Sequence, residues 1–306
     1  VIETTIDAVR INFNTETLWI LNLILAFIMF GVALDITLND FKQLIRNPKP
    51  VIVGILSQFI VLPFITFLLV LMIKPMPSMA LGMFLVAACP GGNISNFISS
   101  LAKGNTALSV TLTANATLLA IFLTPLNLSL WGSLYEPTNL MLKEIAIVPL
   151  EMIEVVSLIL GVPLVMGVWI NHRFHQLARK LSKYLKIVSI GFFICLILVV
   201  VFNNWLLIKE YLVYVFWIVL LHNALAFLTG FSLAELFKLP APDVRSITIE
   251  TGIQNSGLGL VLIFTFFDGL GGMAILTAFW GIWHLISGLL LGSFWANKSI
   301  GKKVSV

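Results

Sequence analysis

Apolar residues run along this chain in blocks of about twenty, the length that crosses a hydrocarbon core about 30 Å thick as a helix. Charged residues, Pro and Gly punctuate the blocks. Between them the pattern predicts nine helical spans, near residues 17–36, 50–73, 78–101, 106–131, 152–171, 185–205, 211–236, 243–267 and 271–295. Two spans break the pattern. The third carries Cys89-Pro90-Gly91-Gly92-Asn93-Ile94-Ser95-Asn96 near its middle, and the eighth carries Glu250-Thr251-Gly252-Ile253-Gln254-Asn255-Ser256-Gly257. Such stretches predict discontinuous helices. A peptide group freed inside a bilayer costs several kcal/mol unless it faces protein, water or a bound ion.

The third and eighth spans stand an odd number apart, so they cross the membrane in opposite directions, as inverted-topology repeats require. The fold expected is an all-α membrane protein, a single transmembrane unit over residues 1–306. Its repeats cover about 17–131 and 185–295, and a connector helix lies near 152–171. The two breaks are expected to meet near the bilayer midplane, an arrangement that points to alternating access. A channel reading lacks support, since no filter loop or ring of charges occurs.

Composition sharpens this reading. Of 306 residues, 59% are apolar and only 10% charged, and the mean hydropathy is +1.04, whereas soluble domains carry about 25% charged residues. Of the eighteen Lys and Arg residues, fourteen fall on one side of a nine-span chain and only Arg10, Lys74, Lys143 and Lys209 on the other. Cations collect in cytoplasmic loops, so the N-terminus is expected outside and the C-terminus in the cytoplasm. The net charge of +4 then belongs to loops and lipid headgroups, Arg173 to Lys186 included, and a nucleic-acid partner is excluded. Cys89 and Cys195 are the only cysteines and make neither a disulfide framework nor a metal cluster. Residues 1–16 read as a short external segment rather than a signal peptide. The connections 37–49, 132–150 and 172–184 read as polar loops, and Glu151 and Glu154 as interfacial.

Glu250 is the sharpest single residue. A charge at a span centre costs roughly 2.5–3.5 kcal/mol on the insertion scale, and no Lys or Arg is placed in a span interior. Its counter-charge is therefore a proton or a bound cation. Gln58, Ser95, Asn96, Ser109, Thr113 and Gln254 supply neutral oxygens around the breaks, and Ser109 and Thr113 stand one helical turn apart on one face. Singly, such hydroxyls usually bond back to their own helix. Together with one carboxylate they suit a monovalent hard cation, sodium, better than Ca²⁺ or Mg²⁺. A proton carried by Glu250 is the alternative. An intramembrane enzyme lacks its motifs, HExxH and GxSxG. A non-transporting receptor on the same scaffold is a further alternative.

At both breaks the sequence resembles the bile acid:sodium symporter family. The residues that carry this are Cys89 to Asn96, then Ala107-Leu108-Ser109-Val110 with Thr113, and Thr248 to Gly257. Ser57-Gln58 ahead of Pro63, Leu221-His222-Asn223 and Trp283-His284 are weaker echoes, so the likeness runs from about residue 25 to 295. The resemblance implies a core domain and a panel domain, with two crossed broken helices in the core. It implies one sodium site from Ser95, Asn96, Ser109, Thr113 and Glu250. A second would use Gln58, Glu250 and Gln254 with the backbone carbonyls of Thr251 and Ile253. Substrate contacts are implied at Asn93, Asn255 and His284. Implied partners are sodium, the bilayer and an organic anion such as a bile salt, a conjugated steroid or a small hydroxy or keto acid like pantoate. The short loops suggest a bacterial inner membrane.

Overall fold

Where the apolar blocks are uninterrupted the chain forms single long helices, and where Pro, Gly and polar residues interrupt them it forms helix pairs. The computed structural model describes residues 6–10, 15–92, 94–145, 149–203 and 205–298. In chain order the helices are α1 (Thr15–Ala33), α2 (Leu38–Arg46), α3 (Pro48–Ile73), α4 (Pro77–Ala88), α5 (Ile94–Leu101), α6 (Thr106–Leu134), α7 (Glu136–Ile145), α8 (Pro149–Arg173), α9 (His175–Asn203), α10 (Trp205–Leu236), α11 (Ala241–Gly252), α12 (Ser256–Phe266) and α13 (Gly271–Ala296). There are no strands among the described residues; two isolated bridges pair Arg10 with Leu270 and Gly91 with Gln254.

Among the described residues, α3, α6, α8, the Lys209–Leu236 stretch of α10 and α13 are long and apolar enough to cross a membrane singly. The pairs α4 with α5 and α11 with α12 take the places of the interrupted third and eighth blocks. Both α3 and α8 widen into a π turn, at Ser57–Val61 and Ser157–Gly161, shortly before Pro63 and Pro163. A proline ring collides with the carbonyl four residues back and lacks an N–H. The wider turn makes room for it, as single π turns inside α-helices do.

All three connections expected to be loops contain helix instead; in 172–184, α9 already starts at His175, and the other two hold short helices of their own. α2 starts because the Thr37 N–H and Oγ1 both donate to Asp40 Oδ2, at 2.7 and 2.8 Å. Phe41 then packs beside Ala33, Ile36, Ala114, Leu164 and Val168. α7 starts after a tight turn in which Thr138 Oγ1 bonds the carbonyls of Gly132 at 2.6 Å and Tyr135 at 2.9 Å. Short amphipathic helices of this kind leave no twenty-residue apolar block to read. Glu151 and Glu154 on α8 are exposed.

α4 is buried over Ser78–Ala88 and packs against α13, α6 and α3, which is why it is apolar on every side. α10 lies along α11 and also meets α13, while α1 packs with α8 and α9. Large apolar side chains also face outward, including Met72 at 80%, Val165 at 69% and Trp217 at 61% exposure. An exterior this apolar needs lipid around it. Residues 6–10 dock on the starts of two helices: Asp7 Oδ1 accepts the Ser78 N–H at 2.9 Å, and Val9 O accepts the Gly271 N–H at 2.9 Å.

One expectation about charge needs correction. Arg245, counted among the loop cations, is buried in the second turn of α11. Its guanidinium donates to Ala102 O at 2.7 Å and Trp295 O at 3.2 Å, carbonyls just past α5 and at the end of α13. Helix C-termini present unpaired carbonyls and partial negative charge, and a guanidinium satisfies both.

Candidate functional site

The two interruptions lie against each other as a pair of short extended segments. Gly92 N–H donates to Ile253 O at 2.8 Å and Asn255 N–H to Pro90 O at 2.8 Å, around the antiparallel bridge between Gly91 and Gln254. Four further carbonyls at the breaks find side-chain donors. Ala88 O accepts from Thr124 Oγ1 at 2.7 Å, and Cys89 O from Gln58 Nε2 at 2.8 Å. Thr251 O accepts from Gln254 Nε2 at 2.7 Å, and Gly252 O from Asn223 Nδ2 at 2.8 Å. Satisfied backbone is the condition for irregular chain at membrane depth, and side chains from α3, α6 and α10 provide it.

Glu250 sits in the last turn of α11, just before this crossing, and is 3% exposed. Its Oε2 accepts from Ser95 Oγ at 2.5 Å and Ser109 Oγ at 3.1 Å, and its Oε1 from Thr113 Oγ1 at 2.7 Å. Thr113 Oγ1 also lies 3.3 Å from Asn96 Oδ1. Three helices thus converge: α5 brings Ser95 and Asn96, α6 brings Ser109 and Thr113, and α11 brings the charge. All five residues expected in the first ion site come together. Glycine is required at 91 because a Cβ there would collide with Glu250 Oε1, and at 92 the added carbon would lie 3.2 Å from Gln254 O.

The second expected set adjoins the first. Gln58, turned inward by the π turn of α3, donates from Nε2 to Gln254 Oε1 at 2.7 Å. Gln58 Oε1 is buried without a partner among the described residues. The Thr251 hydroxyl meets Ser57 Oγ at 2.9 Å, so its carbonyl and not its side chain faces Gln254. Glu250's bonded partners are neutral, and no group of three His, Cys, Asp or Glu side chains gathers among the described residues. A buried carboxylate ringed by three hydroxyls, with the amide oxygen of Asn96 on one of them, fits a small hard cation.

Of the expected substrate residues, Asn255 caps α12 through Oδ1, which accepts the Leu258 N–H at 3.0 Å, and its Nδ2 reaches Met29 Sδ of α1 at 3.8 Å. His284 is buried on α13, one turn beyond Trp280, and among the described residues its Nδ1 has no partner and it shares no hydrogen bond with Asn255. Asn93 lies outside the described residues. Sequence reasoning missed Asn223 and Thr124, which bond carbonyls freed at the breaks without touching the carboxylate, and Arg245, which ties the ends of α5 and α13 together. The Leu221-His222-Asn223 stretch was a signal for the first of these.

The model for the Sodium Bile acid symporter family matches residues 22–211, well over half of the chain. The chain belongs to the sodium/bile acid symporter family. It is similar to the uncharacterized sodium-dependent transporter YocS of Bacillus subtilis, with 34% identity over 94% of this chain and 87% of the relative, a span that takes in both breaks. A probable chloroplast sodium/metabolite cotransporter of rice is 31% identical over 89% of this chain, which spans 65% of that relative's length. The human ileal sodium/bile acid cotransporter is 29% identical over 78% of this chain and 67% of its own. A member of a sodium-dependent transporter family is an integral membrane protein and not an enzyme. Sodium as coupling ion agrees with the oxygen-only site around Glu250.

Proposed function

We propose that this symporter moves an organic anion inward together with two sodium ions by alternating access. The observation that carries this reading is Glu250, a buried carboxylate held by three hydroxyls at the meeting point of two broken helices. Sodium at the first site takes oxygens from Ser95, Asn96, Ser109, Thr113 and Glu250. At the second it takes Gln58, Gln254 and Glu250 with the carbonyls of Thr251 and Ile253, and Gln58 Oε1, buried and without a partner among the described residues, supports this.

Nine spans follow if α1 and α9 cross with the five single helices and the two broken pairs. α1, α8 and α9, which pack together, form the panel, and the remaining spans form the core. The repeats are the four spans on either side of α8, the N-terminus lies outside, and the membrane is a bacterial inner membrane. The starts of α5 and α12 meet at the crossing, and the positive ends of their dipoles suit a carboxylate or sulfate. Asn93, Asn255 and His284 line the substrate's path where core faces panel. A bile salt, a conjugated steroid or a small acid such as pantoate satisfies these requirements. Two Na⁺ with one monoanion carry net charge +1 inward, so each 100 mV of inside-negative potential adds about 2.3 kcal/mol of driving force.

The test is uptake of labelled taurocholate and pantoate into proteoliposomes, with external sodium against choline and Glu250→Ala beside wild type. Sodium-dependent, electrogenic uptake lost in the variant is expected. Equal uptake in choline driven by a proton gradient would overturn the sodium reading.

A further inference from the structure

Asn223 lies in α10, outside both ion-ligand sets, yet only 1% of it is exposed. Its Nδ2 donates to Gly252 O at 2.8 Å and its Oδ1 accepts from Ser287 Oγ of α13 at 2.6 Å. The partners fix the amide's orientation, because a flipped amide would set an oxygen against the Gly252 carbonyl. Ser287 in turn lies 3.0 Å from Trp283 O on its own helix, which places its hydroxyl beside α10. Phe227, one turn along α10, packs against Gly252 and leaves no room for a Cβ there.

Gly252 is the last residue of α11, and the next residue, Ile253, is extended with φ −107° and ψ 96°. Thr251 and Ile253, on either side of it, are the residues whose carbonyls the proposed second sodium site takes. Along extended chain successive carbonyls point to opposite sides. With Gly252 C=O drawn toward α10, Ile253 C=O faces the other break, where it meets Gly92 N–H at 2.8 Å. Without the amide, Gly252 O would be an unpaired acceptor at membrane depth. Its peptide plane would turn to find a donor, and Ile253 would turn with it.

We infer that Asn223 is a positioning residue for the second sodium site, holding the Gly252 carbonyl so that the carbonyls of Thr251 and Ile253 are presented to the ion. The inference rests on the two-sodium reading of the proposed function. The side chain bonds the peptide between the two ligands and not the ligands themselves, so its loss removes one ion without touching Ser95, Ser109, Thr113 or Glu250.

The experiment is a sodium titration of the stability of the purified full chain in detergent, with choline chloride replacing sodium chloride at constant ionic strength. At high concentration the slope of unfolding free energy against the logarithm of sodium counts the ions bound. Wild type is expected to show the slope of two ions and Asn223→Leu the slope of one. A purely structural role would lower the stability in choline and leave the slope at two, which would overturn the inference. Ser287→Ala keeps the amide but frees it to turn, and is expected to keep two ions while raising the half-saturating sodium about threefold. If Asn223→Leu does not fold, an unchanged half-saturation in Ser287→Ala would overturn the inference. A slope of one in wild type would remove the two-sodium reading and this inference with it. A slope of two in both wild type and Asn223→Leu would remove the inference alone.

Discussion

At the first break Cys89, Pro90, Gly91 and Gly92 offer backbone and space, whereas at the second Glu250, Thr251, Gln254 and Asn255 offer charge and side-chain oxygen. The two segments pair through the same kind of backbone bond, yet they are not interchangeable. A Cβ on Gly91 would collide with Glu250 Oε1, so the glycine of one break makes room for the carboxylate of the other. The pairing of the two breaks supplies the crossing; the difference between them leaves that crossing with a single charge. Two carboxylates facing each other at this depth would repel and raise the cost of dehydrating both.

Four substitutions test that division of labour. The largest effect is expected from Glu250→Gln, which keeps the shape but removes the charge and turns one acceptor oxygen into a donor. Breaking a buried ion pair costs about 3–5 kcal/mol, so the half-saturating sodium should rise by more than about a hundredfold in uptake. Gly91→Ala should come next, since overpacking costs about 1–3 kcal/mol, and it should weaken sodium activation roughly tenfold or more. Sodium activation of Gly91→Ala equal to wild type would break the pairing of glycine with carboxylate. Thr113→Val removes one hydroxyl at constant shape, worth about 1 kcal/mol, and should raise half-saturating sodium roughly fivefold. Gly92→Ala should do least, about threefold, because the added carbon meets Gln254 O at 3.2 Å and a small shift relieves it. An effect at Gly92 exceeding that at Gly91 would show that the backbone pairing, and not room for the carboxylate, governs the site.

Both breaks were legible in the sequence because Pro90, Gly91, Gly92 and Glu250 stand in apolar frames where nothing else explains them. The residues around Glu250 were legible through resemblance and through the one-turn spacing of Ser109 and Thr113. Arg245 was not, since a cation near a span end reads as a loop charge until the carbonyls past α5 and at the end of α13 are seen around it. Thr124 and Ser287 were not either, because an alcohol in a span usually bonds its own helix. Whether it also reaches a freed carbonyl or an amide depends on packing between helices far apart in sequence. α2 and α7 escaped because an apolar-block reading has no term for a short helix held by a Thr37–Asp40 start or a Thr138 turn.

The central claim, that the crossing at Glu250 binds sodium, is tested most directly by equilibrium binding of radioactive sodium to the purified protein, wild type beside Glu250→Gln. Saturable binding in wild type, displaced by unlabelled sodium but not by choline and absent from Glu250→Gln, is the result predicted. Sodium bound with equal affinity by Glu250→Gln would contradict the account.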